Sequence, residues 1–172
     1  MLFSASSKNR FRLNRTLLFF SICLSISLFT LAQVNLKHRM LNGYSLSSDA
    51  PINKSKPTLF VFAQAETFEQ VFKPTGGSKR PDRADFDREM LIGVTIPPTN
   101  KPPKLSISKV FVQDSTLTVR YISMKDTTDK EPQAAVSQPT LLLAIPKQTV
   151  LRTRLVENGK VVQTIKKRES GE

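Results

Sequence analysis

Met90–Ile96 (MLIGVTI) is a near-continuous apolar run, entered from the charged segment Asp85–Glu89 and ended by Pro97. A strand with one wet face alternates apolar and polar residues, whereas a run of this kind suits a central strand covered on both faces. Whatever else the chain does, it must supply material for both sides of that strand. Gly93 inside the run points to a bulge or to a close approach against the backbone.

The other β-forming runs are short. Thr58–Ala63 (TLFVFA) reads as the first strand. Ala65, Phe68, Val71 and Phe72 then recur at helical spacing, with Glu66, Glu69 and Gln70 between them, which fits two turns of amphipathic helix ended by Pro74 and Gly76-Gly77. Leu105–Val112 and Thr116–Ile122 alternate across the turn Gln113-Asp114-Ser115. Thr140–Ile145 is another apolar strand, closed by Pro146. Val150–Val156 and Lys160–Ile165 flank Asn158-Gly159, a dipeptide suited to a type I′ turn because both central residues need positive φ. The pattern predicts an α+β fold: a mostly antiparallel sheet of about seven strands with one short helix. A small β-sandwich is the alternative. Residues 33–57 read as an irregular arm with a short ordered piece near Tyr44, and residues 58–166 as the β-rich domain. Ser123–Pro139 reads as a long loop and residues 167–172 as a charged tail.

The N-terminus carries a different signal. Leu17–Leu31 is a 15-residue apolar run preceded by Lys8, Arg10, Arg12 and Arg15. As a helix it would span about 22 Å, short of the roughly 30 Å of a bilayer core. Thr30-Leu31-Ala32 places small residues at −3 and −1 of a cleavage site. Residues 1–32 therefore read as a secretory signal peptide, with a retained anchor as the alternative. Export to the periplasm, cell surface or medium follows. The only cysteine, Cys23, lies in this leader, so a cleaved product has no disulfide, thiol nucleophile or thiolate metal site. Asn53-Lys54-Ser55 is an N-x-S sequence, relevant only to a glycosylating pathway.

The full chain has a net charge of +12. Without the four leader cations, 22 basic residues stand against 14 acidic ones, leaving +8. Such a surface attracts polyanions. For an exported chain these are lipid head groups, acidic polysaccharide or an acidic protein, and no nucleic-acid partner is expected.

The sequence offers no strong catalytic, metal or cofactor motif, and none is assigned. Asp85, Asp87 and Glu89 alternate, and in an extended segment they would share one side, where they could hold a cation or serve as an acid–base pair. An EF-hand loop fails there, because Met90 stands where glycine is required and Ile96 where the bidentate glutamate belongs. His38, the single histidine, lies in the arm, a poor place for an oriented triad imidazole. Thr75–Arg80 (TGGSKR) lacks P-loop spacing and follows a helix rather than a strand. Two segments suit partner contact instead. Pro97–Lys104 (PPTNKPPK) is stiffened by its prolines and so gives up little entropy on docking; its contact candidates are Pro98, Thr99, Asn100, Lys101 and Pro102. Arg152 and Arg154 would share one sheet face as an anionic contact stripe.

DFDREMLIGVTI, the hairpin ending in LTVRYI, and QPTLLLAIPK together resemble the C-terminal domain family of PrcB, a bacterial protease-complex subunit. The resemblance spans roughly Thr58–Val156 and rests on the order of segments. It implies an exported, non-enzymatic domain that assists or binds an extracytoplasmic protease, or a related envelope role. Members often carry a Thr-Gly-Gly-Tyr-like turn after the apolar strand. Here Pro98–Pro103 stands in that place without glycine or tyrosine, so if that turn contacts a partner the contact is altered or lost in this chain. Thr75-Gly76-Gly77 precedes the strand and does not inherit the role. Two alternatives stay open: a basic envelope protein that binds polyanions, and a carboxylate-dependent hydrolase using Asp85, Asp87 or Glu89.

Overall fold

The β-forming runs assemble into two facing sheets and a small outer layer. The computed structural model describes residues 33–76, 80–125 and 135–166. The signal-peptide reading of residues 1–32, the tail 167–172, and parts of the Thr75–Arg80 and Ser123–Pro139 loops lie outside these residues. Among the described residues there are eleven strands and one helix: β1 Val34–Asn35, β2 Arg39–Met40, β3 Tyr44–Leu46, β4 Thr58–Phe62, α1 Ala65–Val71, β5 Phe72–Pro74, β6 Glu89–Thr95, β7 Lys104–Gln113, β8 Thr116–Met124, β9 Thr140–Pro146, β10 Arg152–Glu157 and β11 Lys160–Lys166. The fold is β-rich α+β. One sheet has the order β1-β7-β8-β10-β11, a second β2-β9-β6-β4, and a third pairs β3 with β5. All pairings are antiparallel except β8 with β10.

The strand count corrects the expectation of seven. The four extra strands are only two or three residues long, too short to show alternation. β1 and β2 exist because longer strands offer them free backbone groups, whereas β3 and β5 satisfy each other. Residues 33–57, expected to be an irregular arm with a short ordered piece near Tyr44, supply three of them, β3 being that piece, and Leu41 and Ala50 are buried. Within five residues β1 joins the edge of the first sheet beside β7 and β2 joins the edge of the second beside β9. The helix also ends earlier than expected. Phe72 adopts extended φ/ψ and begins β5, which pairs with Tyr44–Leu46 and includes Pro74 as its last residue, so the proline ends a strand and not the helix.

β6 sits between β4 and β9, and both its faces are covered. Met90, Ile92 and Val94 join Leu141, Leu143 and Ile145 of β9 in the core between the two large sheets. Val110, Leu117, Val119, Tyr121 and Leu155 face them from the other sheet. On the opposite face of β6, Leu91 packs with Phe60, Phe62, Leu142 and the outer layer of Phe68, Val71 and Phe72. Each such fully buried side chain contributes roughly 1.5–3 kcal/mol. Gly93 is not a bulge, since its register with β4 and β9 is unbroken. It is a close approach: a Cβ there would lie 3.0 Å from the Phe72 ring.

The far edges of the sheets are also linked. The Gln163 side-chain oxygen on β11 accepts from the Leu59 backbone amide of edge strand β4 at 2.7 Å. An otherwise open edge donor is thereby satisfied by a side chain.

Candidate functional site

The Pro97–Lys104 connection carries the chain from β6 in one large sheet to β7 in the other. Its middle is anchored. Thr99 and Ser137 form an antiparallel bridge, with amide-to-carbonyl distances of 2.8 and 2.9 Å. The Thr99 hydroxyl accepts from the Lys101 amide at 3.1 Å and fixes the next bend. Thr99 and Pro102 are half-buried, whereas Pro98, Asn100 and Lys101 are exposed. The result is a short, proline-stiffened projection tied at its base.

The same end of the molecule holds the β10–β11 turn. Asn158 and Gly159 have φ of 46° and 85°, the left-handed pair the dipeptide predicts. The Asn158 side chain accepts from the Ser123 amide and donates to the Ser123 carbonyl, both at 3.1 Å. An amide side chain thus substitutes for a backbone partner at the end of β8.

Arg152 and Arg154 stand elsewhere. Both are exposed while Thr153 between them is buried, so they share the outward face of the five-stranded sheet. Arg152 is in register with Thr116 at the start of β8, and Lys104, which follows the loop, with Met124 at its end. Eight residues of strand separate these levels, about 26 Å. The structure therefore does not bring the loop and the arginine pair into one site.

The carboxylate series does not form the shared row expected of an extended segment. Phe86–Arg88 make a turn, closed by the Glu89 amide on the Asp85 carbonyl at 2.7 Å, with the Asp87 amide on Asp85 Oδ1 at 3.1 Å. Alternation carries meaning only in a strand, and the strand begins at Glu89. Glu89 itself is engaged: Arg39 Nε and Nη2 donate to its two oxygens at 3.1 and 2.7 Å, and Nη2 also donates to the Arg83 carbonyl at 2.7 Å. The Arg39 guanidinium holds the Glu89 carboxyl below its ordinary range, and Glu89 in turn raises Arg39. Among the described residues no group of three His, Cys, Asp or Glu has metal-binding placement. His38 is exposed and borders a shallow hollow of about 360 Å³ beside this ion pair.

Two features escaped the sequence reading. A cleft of about 480 Å³ lies beside α1, walled by Tyr44, Phe68, Phe72 and Phe86, with Glu69 and Arg83 among its polar lining. Its walls come from three separate chain segments, so no local pattern announces it. The second is the ring of Phe111, which lies on the solvent side of β7 yet is only 6% exposed. Lys109 Nζ and Arg120 Cζ stand 5.4 and 5.3 Å from its centroid and cover it. Among the described residues, no helix is long and apolar enough to cross a membrane. No family model, no curated protein and no solved structure matches the chain.

Proposed function

We propose that this protein is an exported, non-enzymatic binding or accessory domain that engages a protein partner through the Pro97–Lys104 projection. The single observation that carries the reading is the anchoring of that loop at Thr99. A loop already fixed by its prolines and by two backbone hydrogen bonds loses little further entropy on docking, so more of its contact energy appears as affinity. Recognition loops are typically set on a rigid sheet base, and the two packed sheets supply one here. The resemblance to the PrcB C-terminal domain family suggests an extracytoplasmic protease as the class of partner.

The test is affinity capture of the tagged protein from envelope and medium, run in parallel with an Asn100→Ala/Lys101→Ala variant. Both side chains are exposed, so the variant should melt with the parent. A stoichiometric protein that is retained by the parent and lost by the variant supports the proposal. Recovery without such a partner, or equal retention by both forms, overturns it.

A further inference from the structure

The outward face of the five-stranded sheet is a basic band. Register fixes which side chains share it. Phe111, Thr118, Arg154 and Thr164 lie in one row across β7, β8, β10 and β11. Lys109 and Arg120 form the adjacent row on one side, and Arg152 and Lys166 the row on the other. These five cations run diagonally across four strands for about 20 Å, given strand spacings near 4.8 Å and about 6.8 Å between alternate residues. Among the described residues, no strand position on that side of these four strands is acidic. Glu157 is in register with Tyr121 and shares its inward side. Among the described residues none of the five cations is in an ion pair; the two pairs found there are Arg39–Glu89 and Arg88–Asp85.

We infer that this band is a binding site for a linear acidic polysaccharide, a hydroxyl-rich chain bearing carboxylate or sulfate groups. Three observations favour that occupant. Neighbouring cations stand within about one Debye length of each other, so their repulsion is relieved only by an anion from outside the band. Lys109 and Arg120 are already ordered over Phe111, which lowers the cost of fixing them on a ligand. Thr116 and Thr164 lie on the same face as the cations and supply hydroxyls that match a hydroxylated polymer. Val161 shares the Arg120 row, and Ile122 and Met124 follow Arg120 on the same face of β8, all three exposed. The aromatic ring of the band lies beneath two of the cations instead of projecting, and comparison with vesicles separates a bilayer from a polysaccharide.

The site is independent of the Pro97–Lys104 loop, and its test uses heparin as the probe. Binding of the protein is measured by interferometry at about 50 mM salt and upward, with phosphatidylglycerol vesicles as the comparison. The Arg152→Gln/Arg154→Gln/Lys166→Gln variant should bind heparin about tenfold more weakly, on the scale of three exposed ion contacts. A control variant, Lys54→Gln/Lys56→Gln/Lys73→Gln, removes equal charge from other exposed positions and should stay within about twofold of the parent. If the first variant melts early, Arg154→Gln alone replaces it and should weaken binding about twofold to threefold. Equal weakening by both triple variants overturns the site, as does absence of heparin binding at low salt, or binding to the vesicles without binding to heparin.

Discussion

Gly93→Ala tests the packing of the central strand with one methyl group. The new Cβ would lie 3.0 Å from Cε2 and Cζ of Phe72 and 3.4 Å from the Phe60 Cβ. Favourable carbon contacts lie at about 3.5–4.0 Å, so the ring must retreat by roughly half an ångström. It has little room to do so. Phe72 is 1% exposed, and the rings of Phe60, Phe62 and Phe68 stand around it with centroids at 6.1, 5.8 and 5.5 Å. Replacing glycine in a strand recovers roughly 0.5–1 kcal/mol of backbone entropy. Overpacking of this kind costs roughly 1–3 kcal/mol. The net result is a loss of about 1–2 kcal/mol, a fall in Tm of roughly 3–8 °C for a domain of this size. Thermal and urea unfolding measure it. The cause is isolated by repeating the substitution in a Phe72→Leu background, where the contact is gone. There Gly93→Ala should be neutral or stabilising, giving a coupling of roughly 1–2 kcal/mol. A Gly93→Ala protein that melts at or above the parent would refute the reasoning.

Three further outcomes are expected. Asn158→Ala loses both a residue suited to positive φ and the two hydrogen bonds to Ser123, and urea unfolding should show a loss of about 2 kcal/mol. Ser115→Gly relieves a non-glycine residue at φ 55° in the β7–β8 turn and should raise stability by roughly 0.5–1 kcal/mol, again read by urea unfolding. The third concerns acid. Glu89 is depressed in the folded state by Arg39, so its contribution is present above its unfolded value near 4.5 and is lost as pH falls through the folded value. Because the pair is partly exposed, with side chains 44% and 23% accessible, it should add no more than about 1 kcal/mol. Glu89→Gln should remove that increment at neutral pH and flatten the stability profile below pH 4.5.

What could be read from the chain follows the length of its patterns. Met90–Ile96 announced a strand buried on both faces because a seven-residue run broken only by Gly93 and Thr95 has few other uses. Asn158-Gly159 announced its turn because positive φ at two adjacent positions selects those residue types. β1, β2 and β5 were illegible, and β3 showed only as a short ordered piece near Tyr44, since two or three residues cannot establish a period and their hydrogen bonds are supplied by β7, β9 and each other. Asp85, Asp87 and Glu89 misled for the opposite reason: their alternation is real in the sequence but falls on a turn. The arginine pair on β10 was legible as sharing one face. Its extension through Arg120 and Lys109 depends on the parallel pairing of β8 with β10 and on a register shift in β7, neither of which leaves a local signature.

Site-specific photocrosslinking tests the central proposal most directly. A photoreactive phenylalanine analogue is placed at Asn100, on the projection, or at Lys54, an exposed position away from it, in the protein expressed in its own cells. We expect one discrete adduct to a single envelope or secreted protein from position 100 and none from position 54. No discrete adduct at position 100, or the same adducts from both positions, would contradict the account.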